Sequence, residues 1–468
     1  AASISSQRSV QLAIAKNPSL RVAINSLQSA RYSVQTEENR YPFSIALSGG
    51  ATRTDGVSSS SGSAQTNLEA AAELSRTFAT GTKTAVRVNG YRSTSNDEMT
   101  SSPYSSSARL TVSQPLLRGA GTTVGEAQLR LARLNEKTAR YYRDRAASEL
   151  VRDVLLAYWD FWYTNAAVEI EQSARDLAAT QLADAKVKAA QGSLPAVDVL
   201  TYETKLSSSD ESLLQAKGSR RQAALSLIQT IGAQELLQNT ALSTGGERPT
   251  NSDPITQSAA LEQATANSPE LVQRQEEIHI AEEQLRIAGD AYRSRLDLEA
   301  YLQVSKQGAA TLRQLDTTST ASTTGTSAHV GLTYELPLND PRRTVARSSA
   351  LLAVSTAEEN LRLVRQRLLL DVQSVLIEEE NARERLSLAE QTSQRAEAQY
   401  QAERERFAAG MSLAIQIQQA QDEVRKAKLR VERARVDLCE AQIRRDHLTG
   451  ALLRQIPADA IAERSQPR

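Results

Sequence analysis

The chain has 468 residues, with 55 Lys plus Arg against 55 Asp plus Glu, so no net charge draws it to nucleic acid. Aromatics make up only 4%, while Ala, Gln, Glu, Arg, Leu and Ser dominate, a mix suited to long packed helices rather than to ordinary globular domains. The lone Cys439 excludes an internal disulfide or a thiolate metal site and reads as a small buried hydrophobe, and no apolar run approaches the length of a membrane-spanning helix.

The chain opens on Ala1-Ala2-Ser3, with no basic region and no apolar core of a signal peptide. It is expected to be a mature chain whose signal has been removed, because the strands that follow suit a membrane. Residues of about 6 to 39 carry a helical pattern, and six segments then alternate strictly over the whole chain. Four lie in the first half. Phe43, Ile45, Leu47 and Ala51 oppose Ser44, Ser48 and Thr52. Leu68, Ala70, Ala72, Leu74 and Phe78 oppose Glu69, Glu73, Ser75 and Thr77. Val86 and Val88 oppose Lys83, Arg87 and Asn89, and Ala108, Leu110 and Val112 oppose Ser107, Arg109, Thr111 and Ser113. Period two with one apolar face predicts strands. Aromatic ends (Tyr41, Tyr91, Tyr104, Tyr292), long Ser/Gly/Thr-rich connections at 56 to 66, 93 to 103 and 317 to 327, and the tight Ala79-Thr80-Gly81 turn give the loop asymmetry of an outer-membrane barrel.

After Pro115 a helical pattern runs from about Val124 to Ala190, roughly 100 Å at 1.5 Å per residue, and stops at Gly192. Within it Tyr158-Trp159-Asp160-Phe161-Trp162-Tyr163 is expected to pack where the long helix crosses a helix junction. A return helix runs to Gly232. Gly119-Ala120-Gly121-Thr122-Thr123-Val124-Gly125 lacks the Lys-Ser/Thr ending of a phosphate loop and reads as a strand-to-helix junction.

The order then repeats. Ala13 to Leu20 (AIAKNPSL) recurs as Ala264 to Leu271 (ATANSPEL), Val112-Ser113-Gln114-Pro115-Leu116 as Tyr334-Glu335-Leu336-Pro337-Leu338, and Ile231-Gly232-Ala233 as Thr449-Gly450-Ala451. The second copy has a helical segment at about 255 to 290 and two strands, Leu296, Leu298, Leu302, Val304 and Val330, Leu332, Tyr334, Leu336. Its long helix, about Arg343 to Ala409, ends at Gly410, and a return helix runs to Gly450. The offset between copies falls from 251 before the strands to 222 after them, the length of one added hairpin in the first copy. The domains are therefore expected as 1 to 245, 246 to 452 and a tail 453 to 468. Six strands are too few to close a wide barrel, and open edges cannot face lipid, so several chains are required.

Ser113-Gln114-Pro115-Leu116-Leu117-Arg118-Gly119, Tyr334-Glu335-Leu336-Pro337-Leu338, Gly192-Ser193-Leu194-Pro195-Ala196-Val197-Asp198-Val199-Leu200 and Arg406-Phe407-Ala408-Ala409-Gly410-Met411-Ser412-Leu413 together resemble the TolC-like outer-membrane efflux protein family. The resemblance covers about residues 5 to 455. It implies a membrane α+β fold, a homotrimer whose strands share one transmembrane β-barrel and whose helices form a periplasmic tunnel. It also implies a passive exit channel of a Gram-negative outer membrane, serving tripartite efflux or type I secretion with a periplasmic adaptor and an inner-membrane RND or ABC transporter. The hairpin tips, Gly192, Ser193, Leu194, Phe407, Gly410, Met411, Ser412 and Leu413, are then the adaptor-docking residues. The family usually has two strands per copy, twelve in the trimer, whereas this chain predicts eighteen. Many members carry acidic residues after the second tip; here Gln416 and Gln419 stand there and Asp198 follows the first, so the periplasmic gate is expected to rest on these three.

No catalytic set, metal site or cofactor is expected. His279 and His447 read as solvated, His329 as lining the barrel, and Glu378-Glu379-Glu380 as a solvated helix face. A soluble coiled-coil scaffold is the alternative, and it leaves the six strands unexplained.

Overall fold

A computed structural model describes residues 2–55, 64–95, 104–192, 195–235, 242–244, 246–249, 253–308, 322–338, 340–409 and 411–455. The polar connections expected at 56 to 66, 93 to 103 and 317 to 327, and the tail from 453, fall wholly or partly outside the described residues.

In chain order, β1 (Ala2–Ile4), α1 (Ser6–Lys16) and α2 (Pro18–Glu38) precede four strands, β2 (Ser44–Asp55), β3 (Ala64–Thr77), β4 (Lys83–Ser95) and β5 (Tyr104–Pro115). The short α3 (Thr122–Gly125) leads into α4 (Ala127–Ala190), α5 (Ala196–Ile231) and β6 (Leu242–Thr244). The second half runs through α6 (Gln257–Asn267), α7 (Pro269–Tyr292), β7 (Arg295–Gly308), β8 (Ser322–Glu335), α8 (Pro341–Ala408), α9 (Ala414–Leu448) and α10 (Ala451–Gln455).

The helical segments expected before the strands are each broken once, and proline is the cause. Pro18 and Pro269 lack an N–H and disfavour helical backbone in the residue before them. The break is capped in both halves, by one residue in the first and by two in the second. Asn17 accepts from the backbone N–H of Ser19 and Leu20 and donates to the Thr230 carbonyl at 2.8 Å. Ser268 accepts from the N–H of Leu271 at 3.3 Å, and Asn267 donates to the Thr449 carbonyl at 3.0 Å. Gly232 and Gly450 both turn at φ 77°, where a Cβ would strike Pro18 in one case and Asn267 in the other.

The chain forms two compact units. One comprises Ser29–Thr138 and Gln275–Glu359. Its centre is a six-stranded antiparallel sheet of order β2-β3-β4-β5-β7-β8. Register places like with like: Leu47 opposes Ala72, Ala72 opposes Val88, Leu110 opposes Leu302, and Leu298 opposes Leu332. The Ala79-Thr80-Gly81 turn rests on the start of the helical run. A Cβ on Gly125 would sit 1.8 Å from the Ala79 carbonyl oxygen, so glycine alone allows this approach. Tyr41 donates to the Gly125 carbonyl at 2.6 Å, and the Gly119 N–H donates to Asp290 at 2.9 Å. Arg130 and Arg286 both grip the buried Glu283, at 2.7 and 2.8 Å.

The other unit comprises Ala1–Gln28, Ala139–Arg274 and Asn360–Arg468. Its main core gathers Ala13, Leu20, Val151, Val154, Tyr158, Phe161, Leu227, Ile231 and Val436. Tyr158 and Phe161 are fully buried beside the α1/α2 junction residues, which is where the aromatic run was expected to pack. Each such side chain contributes about 1.5–3 kcal/mol of hydrophobic stabilisation. Cys439 is buried here, and burial pushes its thiol up to about 12.

Two expectations fail in this unit. Glu379 is not solvated: it is 3% exposed and accepts from the equally buried Arg445 at 3.0 Å, while Glu378 and Glu380 stay exposed. A carboxylate at the one buried position of the triplet is retained because a cation meets it. His447 is not on a solvated face either. Its Nδ1 lies 2.8 Å from Ser148 Oγ and its Nε2 3.2 Å from Arg152. Burial, reinforced by the Arg152 charge, lowers the imidazole to about 4. His279 does sit at the surface, 3.2 Å from Glu282.

Candidate functional site

Three features bear on function: the faces of the sheet, the ends of the helical hairpins, and the ion pairs behind those ends.

The sheet separates its chemistry by parity. The apolar face leaves Ile45, Leu47, Val330 and Leu332 two-thirds or more exposed (73%, 79%, 74% and 66%). Among the described residues no helix or second sheet covers them. The opposite face is polar and internally paired. Arg87 lies 3.9 Å from Glu69 and 3.7 Å from Glu73. Arg109, opposite Arg87, donates to Gln303 at 2.7 Å and stands 4.6 Å over the Tyr301 ring. Tyr301 in turn stacks on His329 at 5.1 Å, which puts His329 on the polar face as expected. Strands β2 and β8 end the sheet, each with one long edge unpaired among the described residues.

Helix α4 stops at Ala190 and Gly192 turns at φ 70°, a conformation open to glycine. Ser193, Leu194 and Gly410 lie outside the described residues. Beyond the second turn the Met411 N–H donates to the Arg406 carbonyl at 2.8 Å, and Phe407 is half-buried. Met411 and Leu413 are exposed, as are Val197 and Leu200 beside the first turn. Of the three expected gate residues, Gln416 folds back to cap α9: its Oε1 accepts from Ser412 Oγ at 2.7 Å and from the Leu413 N–H at 3.2 Å. Gln419 is exposed. Asp198 sits in the first turn of α5, where a carboxylate suits the helix dipole. Burial pushes the Tyr202 hydroxyl up, and the Asp198 charge one turn earlier adds to that.

A cluster that sequence reading missed lies further along the same hairpins. Lys205 of α5 pairs with Asp422 of α9. Asp422 also lies 3.6 Å from Arg425, which donates to the buried Glu171 of α4 at 2.6 Å. Gln421 of α9 donates to the Tyr400 hydroxyl of α8 at 3.3 Å. These contacts tie the α4/α5 hairpin to α9 around a cavity of about 410 Å³. No periodicity marks them, because Lys205 and Asp422 lie 217 positions apart and Arg425 and Glu171 254, and their charges match only when the helices lie side by side.

Among the described residues no group of His, Cys, Asp and Glu could hold a metal ion, and no helix is long and apolar enough to cross a membrane. No curated protein sequence matches the chain. Solved structures do. The outer membrane channel CmeC of Campylobacter jejuni matches at 14% identity over 95% of this chain and 85% of its own, with a TM-score of 0.69. The outer membrane protein VceC of Vibrio cholerae matches at 15% identity over 95% and 96%, TM-score 0.67. The MtrE outer membrane channel of Neisseria gonorrhoeae, in its open state, matches at 15% identity over 95% and 88%, TM-score 0.65. At such identities the likeness speaks for the fold, a TolC-like combination of long helices and one sheet. Residues 9–233 and 260–451 match the outer membrane efflux protein family, and with most of its length so matched the chain belongs to that family.

Proposed function

We propose that the protein is a passive outer-membrane exit channel, a homotrimer that hands solutes from a periplasmic adaptor and an inner-membrane RND or ABC pump to the exterior. The observation that carries this reading is the sheet: one exposed apolar face, one paired polar face, and two unpaired edges. Lipid tolerates no unpaired backbone, so β8 of one copy must pair with β2 of the next until the sheet closes. Three copies give an eighteen-stranded barrel with the apolar face toward lipid and the Arg87 and Arg109 face toward water. A soluble coiled-coil scaffold would have to hide that apolar face, and nothing among the described residues covers it.

The helices support the same assembly. On α8, Leu363, Leu370 and Ile377 recur at heptad spacing and are 61%, 66% and 59% exposed, a seam suited to a neighbouring helix. The matching Asn17/Gly232 and Asn267/Gly450 junctions support tandem copies at 1 to 245 and 246 to 452, followed by the tail 453 to 468. The exposed apolar residues beside Gly192 and Met411 suit adaptor docking by the tips Gly192, Ser193, Leu194, Phe407, Gly410, Met411, Ser412 and Leu413. Asp198, Gln416 and Gln419 belong to the periplasmic mouth, with the Lys205–Asp422–Arg425–Glu171 ties as its clasp. The role is conduction, so no cofactor enters and no reaction is catalysed.

The test is deletion of Ala408 to Leu413. Export in cells should be lost while detergent-extracted trimers persist. Export that survives removes the docking role of the tips, and a monomer that dissolves in plain buffer removes the channel.

A further inference from the structure

The apolar face of the sheet changes character along its strands. Toward the Ala79-Thr80-Gly81 turn it is filled by Leu, Val and Ala. A cation there, Arg76, is held between the rings of Phe43 and Phe78 at 4.6 and 5.0 Å. Toward the long connections the side chains first shrink and then turn basic. Ala70, Gly90 and Ser106 are neighbours on one rung, and Leu68, Arg92 and Tyr104 form the next rung outward. The small rung leaves a groove of about 580 Å³ between these residues, closed on its far side by Lys306 and Gly308.

Arg92 lies 5.1 Å over the Tyr104 ring, and Lys306 is exposed. Neither is in an ion pair among the described residues, although the polar face of the same strands supplies carboxylates to its own arginines. One strand, β5, lies between Arg92 and Lys306, about 10 Å across the sheet at the usual strand spacing, with Lys306 one rung inward. Arg53 stands on the same face at the same end. Cations on a lipid-facing surface are costly at the bilayer midplane and become tolerable near the interface, where headgroup charge meets them. The long connections mark this end as the exterior one.

We propose that this groove binds a lipid of the outer leaflet whose headgroup carries a phosphate monoester. An acyl chain lies over Ala70, Gly90 and Ser106, and the phosphate, with a charge of about −1.5 to −2, receives charge-assisted hydrogen bonds from Arg92 and Lys306. The inference rests on the sheet being part of an outer-membrane barrel.

The purified protein is reconstituted into phosphatidylcholine vesicles containing added lipid A, extracted in mild detergent, and its retained lipid identified by native mass spectrometry. Wild type retains lipid A in preference to phosphatidylcholine. Arg92→Gln combined with Lys306→Gln lowers that retention by roughly tenfold or more, the effect expected of two interfacial cations. Gly90→Leu fills the groove without changing charge, in a position where a Cβ has open space, and lowers retention as well. Arg87→Gln on the polar face leaves it unchanged. Equal retention by wild type and the double variant overturns the lipid site and leaves the barrel standing. Failure of wild type to enter the vesicles overturns both.

Discussion

Asp422 is the residue on which the clasp between the hairpins turns. Asparagine in its place keeps the shape and removes the one charge that faces both Lys205 and Arg425. The pairs are half-buried: the side chains of Lys205 and Asp422 are 17% and 33% exposed, that of Arg425 24%. Each lost tie is therefore worth more than a surface pair and less than a buried one, about 1–1.5 kcal/mol. Only the Lys205 tie crosses between helices, since Asp422 and Arg425 lie three positions apart on α9, so its loss shifts the closed-to-open equilibrium by about tenfold at 1.4 kcal/mol per decade. Lys205→Met severs the same tie and should shift it by about the same factor. Planar-bilayer recording gives the open fraction directly. Asp422→Asn and Lys205→Met should open the pore to a similar extent, and high salt should narrow the gap between wild type and both variants. An open fraction unchanged by either variant refutes the clasp.

Two further outcomes follow from buried charges. The His447 imidazole is lowered to about 4 against an ordinary value near 6.5, so the folded protein keeps it neutral while the unfolded chain takes up the proton. Its contribution is level above pH 6.5 and declines as pH falls toward 4, by at most about 3 kcal/mol. Glu440 and Asp446 are raised by burial and act in the opposite sense, so the measure is the difference in unfolding midpoint between wild type and His447→Gln at pH 7 and pH 5. A difference that does not change with pH refutes the assignment. Glu379→Ala leaves Arg445 buried with Asp446 as its remaining carboxylate, and should cost about 3 kcal/mol in guanidinium unfolding. Replacing both Glu379 and Arg445 by Met should recover most of that loss; a double variant as weak as the single one would show that the pair is not the cause.

What was legible in the sequence was whatever a solvent boundary imposes. Leu68, Ala70, Ala72 and Leu74 alternate with Glu69 and Glu73 because one side of β3 meets an apolar surround and the other meets water, and that pattern needs no knowledge of partners. The long helices were legible for a similar reason, since nothing between residue 127 and 190 breaks a helix. The breaks at Pro18 and Pro269 could have been seen, because proline carries its signal locally, but the apolar period running through them hid it. Glu379 and His447 could not be placed. Whether a charged side chain is solvated or paired is decided by the facing helix, and Arg445 and Ser148 lie 66 and 299 positions away. The clasp was hidden for the same reason. That Gln416 caps α9 was likewise not read, because its hydrogen bonds with Ser412 and Leu413 form only once the turn is folded.

The four-plus-two division of strands has a consequence for what can pass. Barrel diameter grows roughly in proportion to strand number, so eighteen strands would enclose a bore about half as wide again as twelve. Such an opening at the cell surface would impose little sieving of its own. The largest solute admitted by the proposed channel would then be set among its helices, where Lys205 meets Asp422.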